Sequence, residues 1–128
     1  MAYESPSISI GTLTAAADLS AKQYHFVKLA SATTVNVCTA TTDRAIGILQ
    51  NDPTSGQSAV VRIFGISKVV ADGTIAFNNV IGTSADSQAD AIVPGTDTSV
   101  VTLGIAIQAA SAGETFTMFL NPTSCRAA

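Results

Sequence analysis

The stretch AIGILQNDPTSGQSAVVRIFG, from Ala45 to Gly65, is answered by TLGIAIQAASAGETFTMFL, from Thr102 to Leu120. Gly104 lies 57 positions beyond Gly47, and Gly113 lies 57 beyond Gly56. At the same offset Ile46 meets Leu103, Ile48 meets Ile105 and Gln57 meets Glu114. Each stretch is an apolar run, a polar turn with glycine, and a second alternating run, which together read as a β-hairpin. A glycine inside a strand marks a bend or a close backbone approach, as barrel corners require. A comparable stretch precedes each hairpin, LSAKQYHFVKL before one and GTIAFNNVIGT before the other. The chain thus reads as two related halves, and two half-barrels of this kind close one small antiparallel β-barrel or sandwich.

The rest of the sequence fits an all-β fold. In SISIGTL, alternation sets Ile8 and Ile10 on one face and Ser7 and Ser9 on the other; Val35 and Val37 alternate likewise. In ETFTMFL, Phe116, Met118 and Leu120 point one way, and Thr115, Thr117 and Phe119 the other. Turn residues punctuate at Asn51–Gly56, Ala71–Gly73, Val93–Asp97 and Ala110–Gly113. The only helical candidate is AADLSAKQ, with Asp18 or Ser20 as N-cap, a single short turn. The expected organisation is an N-terminal arm and first strand over 1–16 and one β domain over 17–120. That domain divides into pseudo-repeats 17–65 and 66–120, and a tail follows over 121–128.

Composition narrows the function. Charged residues are 12% of the 128, about half the roughly 25% of ordinary soluble domains. Either Ser, Thr and Asn make up the solubility, or a partner covers part of the surface. The six cations are scattered and the net charge is −3, so direct nucleic-acid binding, which needs clustered cations, is not expected. No apolar run approaches the roughly 20 residues of a membrane span. The opening MAYESPSISIGT lacks the cationic and apolar regions of a secretory signal, which reads as a protein made and kept in a cytoplasm, or assembled there. Cys38 and Cys125, far apart, read as free thiols.

No catalytic constellation emerges. His25 is the only histidine, lies on the side of Val27 and Leu29, and has no Gly-x-Ser-x-Gly elbow to serve. It reads as a hydrogen-bonded structural residue. Asp72, Asp86, Asp90 and Asp97 lie in or near turns without calcium-loop spacing, and Glu114 after Gly113 reads as a hairpin cap. No metal, cofactor or enzymatic activity is expected.

The run from Arg44 to Val93 resembles the small capsid cement (head decoration) proteins of tailed bacteriophages. The features that carry the resemblance are Ala45-Ile46-Gly47-Ile48-Leu49, then Val61-Arg62-Ile63-Phe64-Gly65 through Val69, a second strand Leu103-Gly104-Ile105-Ala106, and the phrase DLSAKQYHFVKLA from Asp18 to Ala30. The resemblance spans Asp18 to Leu120; AFNNV stands where such proteins often carry a glycine-rich turn. It implies a β-tulip-like barrel and a homotrimer seated on the outer surface of the expanded phage head, with the major capsid protein as partner. It also implies a brace against internal DNA pressure. The candidate contact is the arm: Tyr3, Glu4, Pro6, Ser7, Ile8 and Ile10. Tyr3 is an amphipathic anchor, Pro6 limits helix, and Ser7–Ile10 can pair as an edge strand. A carbohydrate-binding domain or a tail or baseplate β-domain of a virion is the alternative.

Overall fold

The computed structural model describes residues 2, 7–93, 95–97 and 100–122. Among these residues nine strands form: β1 (Ser7–Ala15), β2 (Phe26–Leu29), β3 (Thr34–Val37), β4 (Gly47–Leu49), β5 (Ser58–Val70), β6 (Val80–Thr83), β7 (Ala89–Ile92), β8 (Gly104–Ala106) and β9 (Thr115–Leu120). They make one sheet in the order β1-β3-β2-β4-β5-β9-β8-β6-β7, and β1 also pairs with β5. That extra ladder closes β1, β3, β2, β4 and β5 into a ring. A parallel bridge between Ala71 and Ala89 draws the start of β7 back to the end of β5, so the last strands curl into a second ring. The fold is all-β, as the alternation requires, and no helix occurs among the described residues.

The two hairpins repeat in register as well as in residues. Ile48 faces Arg62 and Leu49 faces Val61; 57 positions on, Ile105 faces Phe119 and Ala106 faces Met118. The preceding pairs recur too, Phe26 with Ile48 as Val80 with Ile105, and Val27 with Val37 as Ile81 with Ala91. Single hydrogen bonds are duplicated. Ala15 N–H donates to Gln57 O as Ala71 N–H does to Glu114 O, and Leu19 N–H to Pro53 O as Ile75 N–H to Ala110 O. The turn glycines Gly56 and Gly113 both sit at φ 83°, where glycine alone is unstrained. Gln57 Oε1 accepts from Thr54 N–H, and Glu114 Oε1 accepts from Ser111 N–H, so the two residues close their hairpins identically. Asp43 and Asp97 do the same for their loops, accepting from Thr39 N–H and Val93 N–H. In this scheme β1 and the second half of β5 play the same part, each opening one ring.

Each ring has its own core. The first holds Ala15, Leu19, Val27, Val35, Leu49, Ala59 and Val61. The second holds, among others, Ala71, Ile75, Ile81, Ala89, Ala106, Phe116 and Met118, and it also takes in Phe26 and Ile48 from the outer face of β2 and β4. Equivalent positions trade volume. Ala59 of the first core is Phe116 in the second, and Val35 and Leu49 become Ala89 and Ala106. Close packing permits one large residue only where its neighbours shrink.

The AADLSAKQ segment meets the expectation of at most one short turn, and one other expectation is corrected. The AADLSAKQ segment forms hydrogen-bonded turns and no helix: Asp18 Oδ1 accepts from Ser20 N–H, and Leu19 N–H is committed to Pro53 O across the ring. That long-range bond outweighs a helical preference too short to stand alone. Ile8 and Ile10 do not share a face. Ile8 pairs with Phe64 but Ser9 with Arg62, so Ile63 is an extra residue on β5, and this bulge reverses the faces of β1 beyond it. Ile10, opposite Val61, packs on the first core, whereas Ile8 is exposed.

Candidate functional site

The cross-strand pairs that put Val61 and Met118 inward put an apolar stripe outward. Ile8 on β1 faces Phe64 on β5; Phe119 on β9 faces Ile66 on one side and Ile105 on the other; Ile105 faces Val80 on β6. The Phe64 and Phe119 rings meet edge to face, with centroids 5.6 Å apart and planes at 78°, a favoured aromatic geometry. Ile8, Phe64, Ile105 and Phe119 are nonetheless 36–56% exposed. Large apolar groups rarely lie open in one row unless something binds there. Shallow grooves flank the row, one lined by Ile46, Ile63, Phe64 and Pro122, the other by Val80, Gly104, Ile105 and Phe119. Arg62 rims it, its Nε donating to Ser9 Oγ at 3.3 Å and a terminal nitrogen to Ile66 O at 3.2 Å.

Of the residues expected to make contacts, Tyr3, Glu4 and Pro6 lie outside the described residues. Ser7 pairs with Gly65 at the edge of the stripe, Ile8 belongs to it, and Ile10 is turned inward. Sequence reasoning missed Phe64, Ile105 and Phe119. The available signal was Phe119 alone among threonines on the face opposite Phe116 and Met118. Phe77, 73% exposed, stands apart in the loop before β6.

His25 sits between the rings as a structural residue. It is buried, and its Nδ1 lies 2.7 Å from Ser87 Oγ. Ser87 donates its own hydroxyl proton to Asp86 O, so it accepts from His25, which places the imidazole proton on Nδ1. Burial, followed by the charge of Lys22, holds the imidazole below its usual 6.5. The folded state thus stays neutral where an unfolded histidine takes up a proton. Its contribution is complete above pH 6.5 and is lost as pH falls below that value toward the folded pKa. Urea unfolding should therefore show stability declining from pH 6.5 to pH 5.5, and His25→Gln should flatten that slope.

The remaining titratable groups are local. Cys38 is a buried free thiol, pushed up to about 12 by burial and by the nearby Asp43; Cys125 lies outside the described residues. Lys28 Nζ lies 2.8 Å from Asp43 Oδ2. Asp90 is raised by burial, then by Asp72 and Asp97. Every buried side-chain polar atom among the described residues has a hydrogen-bond partner.

No protein-family model matches the chain, and no curated protein matches its sequence. In three dimensions the chain is similar to the head fiber gp8.5 N base of bacteriophage phi29, with a TM-score of 0.68 at 16% identity. The superposition covers 94% of this chain and 98% of the other. At that identity the likeness is one of fold, over nearly the whole of both chains.

Proposed function

We propose that this chain is a structural protein of a phage virion: a capsid cement, or decoration, protein. It binds the outside of the expanded head as a homotrimer, against the major capsid protein, and braces the shell against the pressure of packaged DNA. The observation that carries this reading is the near-complete match of fold to a phage head fiber base. The hairpin text read in the sequence and the exposed stripe that begins at Ile8 support it. Such a brace needs no chemistry of its own. It works through modest contacts repeated over a lattice, where effective concentration makes many weak junctions hold together.

The arm and the start of the stripe form the capsid contact in this reading. Removal of residues 1–10 is a poor test, because Ser7–Ala15 closes the first ring. Removal of residues 1–6, and separately the Ile8→Asp and Phe64→Asp pair, leaves the core positions intact. Each protein should remain folded by circular dichroism and bind expanded, undecorated capsids at least roughly tenfold more weakly in co-sedimentation. Undiminished binding by both folded variants would remove this face from the mechanism.

A further inference from the structure

Equivalent positions in the two rings differ in exposure, and the differences follow a pattern. On the outer face of the first ring, Phe26 and Ile48 are fully buried; their counterparts on the second, Val80 and Ile105, are half-buried and 37% exposed. For the interiors the order reverses. Leu13, Ile46 and Ile63 of the first ring are half-buried, whereas their counterparts Val69, Leu103 and Leu120 are fully buried. One contact explains both differences. Phe26, Cys38, Ala45 and Ile48 belong to the same buried cluster as Val69, Leu103 and Leu120. The outer face of the first ring is the lid on the interior of the second.

The duplication leaves each half of that contact present once more and unmatched. Among the described residues, nothing covers Val80 and Ile105 as the second ring covers Phe26 and Ile48. Nor does anything cover Leu13, Ile46 and Ile63 as Phe26 and Ile48 cover their counterparts. These two surfaces are complementary because each copies one side of a contact already made within the chain.

We propose that a second copy of this chain supplies the missing partner: the Val80–Ile105 face of one copy lies over the Leu13–Ile46–Ile63 side of the next, head to tail. This deepens the self-association in the reading above and is testable without capsids. One part of the internal contact is not repeated. Within the chain, Phe26 N–H donates to Ser87 O and Val70 N–H to Tyr24 O, whereas Thr14 N–H, the counterpart of Val70, already donates to Thr33 O. The contact between copies is therefore made by side chains. A head-to-tail contact is heterologous, using two different patches, unlike a twofold contact that uses one patch twice.

That difference gives the test, with purified full-length protein and light scattering. The wild-type mass should be a multiple of 13.0 kDa, and Val80→Asn with Ile105→Asn should weaken association at least roughly tenfold while leaving the fold intact. Ile63→Thr should weaken it from the other side. When the Val80/Ile105 variant is titrated into wild type, it should still bind through its intact first-ring side and cap the assemblies, lowering their mass. A twofold contact through Phe64 and Phe119 predicts instead that Ile63→Thr, checked as folded, assembles like wild type. It also predicts that the Val80/Ile105 variant exchanges into wild-type assemblies without capping them, leaving their mass unchanged. Either of those results, or a wild-type protein that stays monomeric at high concentration, would overturn the proposal. Because the assay contains no capsid, failure here is distinct from failure of capsid binding.

Discussion

Replacing Phe116 with alanine should cost about 3–5 kcal/mol of stability, read from denaturant unfolding. The side chain is 1% exposed in the second core, and against a total stability of roughly 5–15 kcal/mol the loss leaves a marginal protein. The first ring shows why the cavity would persist. There the equivalent position is Ala59, but Val35 and Leu49 fill the space that Ala89 and Ala106 leave for Phe116. The duplication therefore specifies its own rescue. Adding Ala89→Val and Ala106→Leu to Phe116→Ala writes the first core into the second, and should recover at least about 1 kcal/mol, because volume is moved rather than lost. The same two substitutions beside an intact Phe116 should destabilise by overpacking. If they stabilise Phe116 and fail to help Phe116→Ala, the volume exchange does not govern this core.

Substitution of the strand glycines should be comparably damaging for a different reason. A Cβ on Gly47 would lie 2.0 Å from Arg62 O, and one on Gly104 would lie 1.9 Å from Phe119 O. Both obstacles are backbone carbonyls of the partner strand, which cannot turn aside as a side chain can. Gly47→Ala and Gly104→Ala should each cost about 3 kcal/mol or more, at or beyond the upper end of ordinary overpacking. Gly73→Ala is the control. Nothing lies within 4 Å of its added Cβ, and its effect should stay within about 0.5 kcal/mol. Thermal and urea unfolding of the three variants separate a steric requirement from a general loss of chain flexibility.

Much of this was readable in the sequence, because the features concerned are local and repeated. The Gly47 and Gly104 pair, the turn at Gly56 and Gly113, and the capping role of Glu114 need only the neighbouring residues to be understood; the matching role of Gln57 emerged from the structure. His25 could be read as structural because no chemical partner accompanied it, although its bond to Ser87 spans 62 positions and was not visible. The reading failed where distant strands decide. The extra residue Ile63 on β5 reverses β1, and nothing in SISIGTL records what lies opposite it. The stripe was missed for a related reason: Phe64 and Ile105 sit in runs so apolar that period two cannot tell inside from outside. Only the pairing of Phe64 with Ile8 and of Ile105 with Phe119 places them in the outward stripe. The division of the chain into two units, with β5 shared between them, is our proposal from the duplicated bonds rather than from alternation.

The central proposal is that this doubled ring is an inert brace on a phage head. Reconstruction of the virion by electron microscopy, with the chain identified in density, tests it most directly. The expected result is one assembly of several copies on the outer surface where capsid subunits meet, with the Ile8 edge toward the shell. Density on the tail alone, or intact virions that carry no copy, would contradict it.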